Sequence, residues 1–230
     1  YTTMYKLISI VMLMLMTSWS YANDIYVTQS GASLDLDITQ DGSNNTVGNS
    51  TTASASTGAT TILNIDQIGN SNVIKYQING ATYTGVINLV GNSNDVDLNC
   101  DSTGGNSSCG SANAVINFTG NSNDIDLDIG QTSSATSADV DIVGQSGSDS
   151  NVVAATVDGN SAILTITING DTNNYLLDID GNGDVNGHTL IHSHTGGIAD
   201  VDITQSGTND NMITLTTSGD NADIDISQTD

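Results

Sequence analysis

The sequence predicts an all-β fold, a two-sheet parallel β-solenoid of stacked strand–turn–strand coils with a repeat of about 22 residues. The first observation is a turn that begins with Gly, closes with Asn and recurs seven times along the chain. The second is the alternation of apolar and polar residues between the turns, as where Ile125, Leu127 and Ile129 alternate with Asp. Because successive side chains of a strand point to opposite faces, this pattern indicates half-buried β-strands rather than helices.

Residues 1–22 are expected to be a secretory signal peptide rather than part of the fold. Met4 is the expected start, residues 7–16 form a short apolar region, and residues 17–22 end in small side chains around a cleavage site. The apolar region is too short to cross a hydrocarbon core of about 30 Å as a helix. The sequence therefore predicts export, and one secreted repeat domain over residues 23–230 without a membrane span.

The recurring turns define the predicted coils. The seven Gly–Asn pairs are Gly42 with Asn45, Gly69 with Asn72, Gly91 with Asn94, Gly120 with Asn123, Gly147 with Asn151, Gly170 with Asn173, and Gly207 with Asn211. A Gln stands two residues before the Gly in four copies (Gln40, Gln67, Gln145 and Gln205), while Gln29 begins the series and Gln228 ends it. An opposite turn, at Gly80, Gly159 and Gly219, is expected half a coil away.

The spacing between the turn glycines ranges from 22 to 37 residues. The longer intervals contain segments rich in Gly, Ser, Thr, Ala and Asn, at residues 46–60, 100–113, 130–137 and 181–197. Such segments are typical of surface loops, so we expect them to bulge from a corner while the stack continues.

The Gln and Asn side chains of the turns are expected to stack along the axis of the solenoid. Inward amides at equivalent positions can bond to the copies above and below, which predicts two ladders: Gln40, Gln67 and Gln205 in one, and Asn72, Asn94 and Asn123 in the other. Such ladders fix the strand register, which rows of Val and Ile alone leave free to slip by two residues. The alternative is that these are ordinary hairpin-turn residues without a ladder.

Two of these motifs resemble the curlin repeat, in which Gln, Gly and Asn recur at fixed spacing. Gln40-Asp-Gly42-Ser-Asn-Asn45 and Gln67-Ile-Gly69-Asn-Ser-Asn72 match its first half, and residues 145–151 and 205–211 match with one additional turn residue. The opening residues 23–31 are similar to curlins near their mature start. The chain departs from the pattern where Leu89, Phe118 and Ile168 replace the inward Gln.

The resemblance implies a structural subunit of a secreted curli-type amyloid fibre that self-assembles head to tail in cell adhesion and biofilm matrix. The partners that it implies are further copies of the chain, a nucleating curlin homologue and a curli-type outer-membrane export apparatus. We expect the half repeat at residues 223–228 to offer an open strand edge to another copy.

Composition limits the remaining functions. The net charge is −24, all 26 acidic residues are Asp, and Lys75 is the one Lys or Arg after residue 22, so neither nucleic acid nor an anionic membrane is an expected partner. Cys100 and Cys109 are expected to form a local disulfide. His188, His192 and His194 are expected in a solvated loop. No cofactor is expected, and the chain is not expected to be an enzyme.

Other functions stay open at this stage. A monomeric acidic solenoid that acts as an adhesin or a calcium-binding surface module is the main alternative, because residues 178–186 have the Asp/Asn spacing and central Gly of a calcium loop. However, Thr189 stands where a closing Glu belongs. A weaker idea is ice binding by the pairs Thr165/Thr167 and Thr214/Thr216, which do not recur in every coil.

Overall fold

The chain folds as an all-β parallel β-solenoid of about seven coils, as the sequence predicts, and the residues that the structure describes contain no helix. The computed structural model describes residues 23–49, 51–100, 109–130, 137–145, 147, 149–159, 161–180, 188–207 and 211–229. The strands are β1 (Asn23–Ile25), β2 (Thr28–Ser30), β3 (Ser33–Asp41), β4 (Asn45–Val47), β5 (Ser54–Ile68), β6 (Ser71–Val90), β7 (Ser93–Cys100), β8 (Ser111–Thr119), β9 (Asp124–Ile129), β10 (Ser137–Gly144), β11 (Val152–Asp158), β12 (Ala162–Asn169), β13 (Asn173–Asp180), β14 (Thr189–Thr195), β15 (Ala199–Ser206), β16 (Met212–Ser218) and β17 (Ala222–Thr229).

The strands form two sheets with parallel pairing throughout. The back sheet contains β3, β8, β10, β12, β14, β16 and the second parts of β5 and β6, residues 60–68 and 82–90. The front sheet contains β1, β2, β4, β7, β9, β11, β13, β15, β17 and the first parts of β5 and β6. Since β5 and β6 continue through a corner into both sheets, the strands connect into one network of 17.

Each coil passes two corners. At the first corner the chain leaves the back sheet for the front sheet, and at the second corner it returns. Paired residues in adjacent coils are 22 to 29 positions apart, and the repeat averages about 26 residues. The repeat is longer than the predicted 22 because several coils carry additional residues between strands, while the alternation of inward and outward side chains is kept from coil to coil.

Inward side chains stack in columns of like residues between the sheets. The longest aliphatic column of the back sheet contains Ile38, Ile65, Ile87, Ile116, Ile142 and Ile166, all of them buried. Full burial of one such side chain contributes about 2 kcal/mol. A single coil leaves both edges of its apolar row open, so this stabilisation depends on the neighbouring coils.

Two of the four predicted surface loops are wrong. Most of residues 46–60 belongs to strands, where Ser54 and Ser56 point inward and are buried. Residues 181–197 include β14, a complete strand of the back sheet. In both segments small or polar residues occupy inward positions of a strand, so composition alone gives no sign of the alternation.

Several sequence-based predictions fall outside the described residues. These include the signal peptide over residues 1–22, most of the loops at 100–113 and 130–137, and residues 181–186 of the candidate calcium loop. Within the described ranges, no helix has the length and apolar character that a membrane span requires.

Candidate functional site

A continuous ladder of asparagines lines the first corner, and all of its members except the exposed Asn23 are buried. The side-chain amide of each Asn donates from Nδ2 to Oδ1 of the Asn one coil further on, over distances of 2.6 to 3.2 Å. The members are Asn23, Asn45, Asn72, Asn94, Asn123, Asn151 and Asn173. All of these bonds run in one direction, so each amide between the two end members accepts from one neighbour and donates to the next.

The turn sequence at this corner positions the ladder. Nδ2 of Asn94 also donates to the carbonyl oxygen of Gly91, 3.3 Å away, and Asn173 bonds to Gly170 in the same way at 2.8 Å. The residue before the ladder Asn takes the left-handed conformation in several coils, with φ of 58° at Asn44. The turn Gly is required because the coils approach closely: a Cβ on Gly69 would lie 2.1 Å from the carbonyl oxygen of Gly42.

The ladder stops in the last two coils. Asn173 pairs with Ala199, and Ala199 pairs with Ala222. Nδ2 of Asn173 faces Nδ1 of His194 at 3.4 Å instead of another amide. The described solenoid therefore has a ladder region, from Asn23 to residue 180, and a C-terminal region, residues 188–229, in which this column holds alanine.

The predicted Gln ladder is correct for two of its members. Gln67 donates from Nε2 to Oε1 of Gln40 at 2.7 Å, and both side chains are buried. Gln145 is exposed, because Gly144 occupies the equivalent inward position. Gln205 does not belong to this ladder, since it lies in the front sheet before the second corner.

The second corner of the C-terminal region repeats the chemistry of the first. Gln228 donates from Nε2 to Oε1 of Gln205 at 3.2 Å and to the carbonyl oxygen of Asn211 at 3.0 Å. Nδ2 of Asn211 bonds to the carbonyl oxygen of Gly207 at 3.2 Å. Gln29 lies in the same front-sheet column at the other end of the solenoid, where Nε2 donates to the carbonyl oxygen of Ser33.

The assignment of Gly207 and Gly219 to corners was therefore reversed in the sequence-based prediction. Gly196 stacks on Gly170 at the first corner, and Gly219 stacks on Gly196. The interval of 37 residues from Gly170 to Gly207 is one and a half coils, not one coil with an inserted loop. The same Gln–Gly–Asn motif occurs at both corners, so the motif at Gly207 does not show that it lies half a coil away from the others.

The three histidines are buried, which contradicts the predicted solvated loop. His192 and His194 point inward from β14, and the exposed fractions of His188, His192 and His194 are 0%, 0% and 2%. The Tyr175 ring packs edge-on against His192, with the ring centroids 4.3 Å apart. Tyr175 Oη lies 3.0 Å from Nδ1 of His194, while neither ring nitrogen of His192 has a hydrogen-bond partner among the described residues.

Burial controls the titration of this cluster. Together with a smaller contribution from the nearby His194, it lowers the pKa of His192 to about 4. Burial also lowers the pKa of His194, and the carboxylate of Asp171 opposes this shift. Both imidazoles are therefore neutral at pH 7.

The outward side of the front sheet carries rows of aspartate. Asp95 pairs with Asp124, and Asp97 pairs with Asp126. Partial burial raises the pKa of Asp126, and the neighbouring carboxylates of Asp128, Asp97 and Asp124 add to the shift. Lys75 offsets part of this charge, with Nζ 2.6 Å from Asp95 and 3.7 Å from Asp97.

The remaining site predictions concern cysteine and metal. Cys100 and Cys109 form a disulfide with their Cα atoms 5.5 Å apart. Asp178 and Asp180, which begin the candidate calcium loop, lie in β13, and the described residues contain no group of three or more His, Cys or acidic side chains that would hold a metal ion.

The first and last described strands of the front sheet carry matching inward residues. In β17 these are Ile224, Ile226 and Gln228, and the corresponding residues at the other end are Ile25, Val27 and Gln29. Ile224 and Ile226 are 37% and 48% exposed, because β15 is the only described strand that pairs with β17.

No protein-family model matches the chain, and no curated protein or solved structure matches it either.

Proposed function

We propose that this protein is a structural subunit of a secreted, curli-like amyloid fibre that assembles head to tail and serves in cell adhesion and biofilm matrix. The observation that carries the proposal is the match between the two edges of the solenoid. A copy stacked with residues 23–30 on β17 continues the front sheet in the parallel register that joins all other coils. Ile224 then packs on Ile25, and Ile226 packs on Val27.

The back sheet does not join the two copies directly in this arrangement. When residues 23–30 stack on β17, β3 of the next copy lies two strand spacings from β16, because β17 already stands one layer beyond β16. Leu36, Ile213 and Leu215, which are partly buried at the edges of the core, border the open layer. Gln29 extends the Gln205–Gln228 pair by one amide, which favours this register over one shifted by two residues.

Charge opposes the contact and makes it sensitive to ions. The proposed register places Asp223 beside Asp24 on the outer surface. Two carboxylates about 4.8 Å apart repel by about 0.9 kcal/mol in water before screening. Assembly is therefore expected to proceed faster in high salt than in low salt.

Export and partners follow from the resemblance and from the expected signal peptide. A curli-type outer-membrane export apparatus delivers the chain, and a nucleating curlin homologue starts the fibre. The curlin-like motifs that support these two partners are those beginning at Gln40 and Gln67.

The test is assembly of the purified chain from Asn23 onward, followed by electron microscopy and fibre diffraction. The expected result is filaments with a meridional repeat of about 4.8 Å, the spacing of stacked strands. Substitution of both edge residues, Ile224→Asp with Ile226→Asp, is expected to abolish elongation while the monomer stays folded.

The matched control is Ile163→Asp, which changes an outward isoleucine that is 40% exposed. This variant is expected to form filaments like the unmodified chain. A stable monomer from the unmodified chain at all salt concentrations would refute the proposed function, and normal filaments from the double variant would refute the proposed edge contact.

A further inference from the structure

His192 interrupts an aliphatic column of the back sheet. Its paired neighbours are Ile166 in β12 and Leu215 in β16, and the earlier coils hold isoleucine at the same position. Buried polar groups normally have hydrogen-bond partners, yet neither nitrogen of this imidazole has one among the described residues. Burial of an isoleucine at this position would cost less free energy than burial of an imidazole. The property that distinguishes histidine here is therefore its ability to take up a proton.

The groups around His192 offer no counter-ion to a charged ring. The titratable neighbours along the chain are His194 on its own strand and His188 just before that strand, and on the front sheet Tyr175 packs against it. The paired residues in β12 and β16 are aliphatic, and Val201 of β15 lies beside Tyr175. Asp171, at the first corner, is the carboxylate that acts on this cluster, and it acts on His194.

We propose that the buried histidines of β14 form an acid-sensitive switch that opens the C-terminal edge of the solenoid and so stops the addition of further copies. A proton on His192 places an unpaired charge in an apolar column. A proton on Nδ1 of His194 turns an acceptor into a donor that faces Tyr175 Oη and Nδ2 of Asn173. Both changes favour release of β14 from β12 and, with it, of β16, which pairs with β14.

The direction and the range of the effect follow from the linkage between protonation and folding. The pKa of His192 is about 4 in the folded protein and 6.5 when the ring is exposed, so the open state binds more protons. The closed state is fully favoured above about pH 6.5 and loses stability as the pH falls toward about 4. At about pH 5 the open fraction should be about twenty times larger than at neutral pH.

Amide hydrogen exchange at about pH 7.5 and about pH 5, corrected for intrinsic rates, tests the switch in the monomeric chain. Residues 189–195 and 212–218 are expected to lose at least about tenfold of their protection at the lower pH. Residues 71–78 of the ladder region should keep theirs. His192→Ile, which restores the aliphatic column, should abolish most of the difference.

The matched control is Ile166→Val, which removes one methylene from the same column without touching a titratable group. It should lower protection at both pH values and keep the pH response. Equal protection of the unmodified chain at both pH values, or an unchanged response in His192→Ile, would overturn the switch.

The regulatory role rests on the proposed end-to-end assembly, and filament elongation tests it separately. Elongation of the unmodified chain should slow at about pH 5, whereas that of His192→Ile should not. If neither protein forms filaments at either pH, the proposed function fails and the exchange data still decide the switch. If exchange responds to pH but both proteins elongate equally at both values, the regulatory role is wrong.

Discussion

The ladder region and the C-terminal region build the same coil from different interiors. In the ladder region, each corner Asn between the two end members both accepts and donates an amide hydrogen bond, so the polar column is satisfied along its length. In the C-terminal region, Ala199 and Ala222 take that column, and the buried polar groups are histidines. The coil geometry therefore does not depend on the Asn column. The response of a coil to changes in conditions, in contrast, depends on which polar groups its interior holds.

The two regions should also respond oppositely to acid. In the ladder region, partial burial and the repulsion from neighbouring carboxylates raise the pKa of the outward Asp126, and protonation relieves both. Protonation places charge on His192, whose low pKa reflects burial. Acid therefore favours the folded state through the first group and disfavours it through the second. A solenoid with one such region at its edge can stay intact while that edge opens.

The largest expected effect comes from breaking the amide column in its middle. Asn94→Ala removes the acceptor of Asn72 Nδ2 at 2.8 Å and the donor to Asn123 Oδ1 at 2.6 Å. Two buried polar groups then lose a partner, so the free energy of unfolding should fall by about 4 kcal/mol. Urea denaturation followed by circular dichroism measures this change.

The control for that variant lies in the same coil on the outer surface. Asn88 is also part of an amide row, since it donates to Asp66 at 2.6 Å and accepts from Asn117 at 2.9 Å. Water can replace these partners, so Asn88→Ala should cost about 0.5 kcal/mol. Equal losses in the two variants would show that burial of the ladder contributes nothing.

Sequence reasoning identified the ladder region well because its signals are local. Period-two alternation places each side chain on one face, and the Gly–Asn turn at Asn72, Asn94 and Asn123 repeats at the corner where the ladder forms. The first member, Asn23, was missed, although it stands one coil before Asn45. Ser20, and not a Gly, stands three residues before Asn23, so the Gly–Asn motif does not include it.

The C-terminal region was predicted less well for two physical reasons. The motif around Gly207 looks the same at either corner, because it encodes a turn and not a direction. The other reason is that His192 and His194 occupy inward positions of a strand, at which the alternating pattern normally has apolar residues. The sequence-based prediction placed both histidines in a solvated loop, because only the pairing with Ile166 and Ile168 shows that they are buried.

A smaller effect is expected from the contact that joins the histidines to the front sheet. Tyr175→Phe keeps the ring against His192 but removes the hydroxyl that lies 3.0 Å from Nδ1 of His194. The loss should be about 1 kcal/mol at neutral pH. In a His194→Ile background the same change should cost almost nothing, and a double-mutant cycle by urea denaturation measures the coupling. Additive losses would mean that the Tyr175 hydroxyl stabilises the protein through a contact other than the one with His194.

The smallest expected effect concerns the aspartate rows, which extend over both regions but contain a cation in one of them. Lys75 bridges Asp95 and Asp97 in the ladder region, whereas the paired Asp200 and Asp223 of the C-terminal region lie side by side. Because both carboxylates of the bridge are about half exposed, Lys75→Met should cost only about 0.5 kcal/mol. Urea denaturation in low and high salt measures it, and the cost should disappear in high salt, where screening replaces the lysine. Asp223→Asn is the opposite case: it removes one of two adjacent charges and should raise stability in low salt by a similar amount. A salt-independent loss in Lys75→Met would mean that the aliphatic part of Lys75, not its charge, stabilises the outer surface.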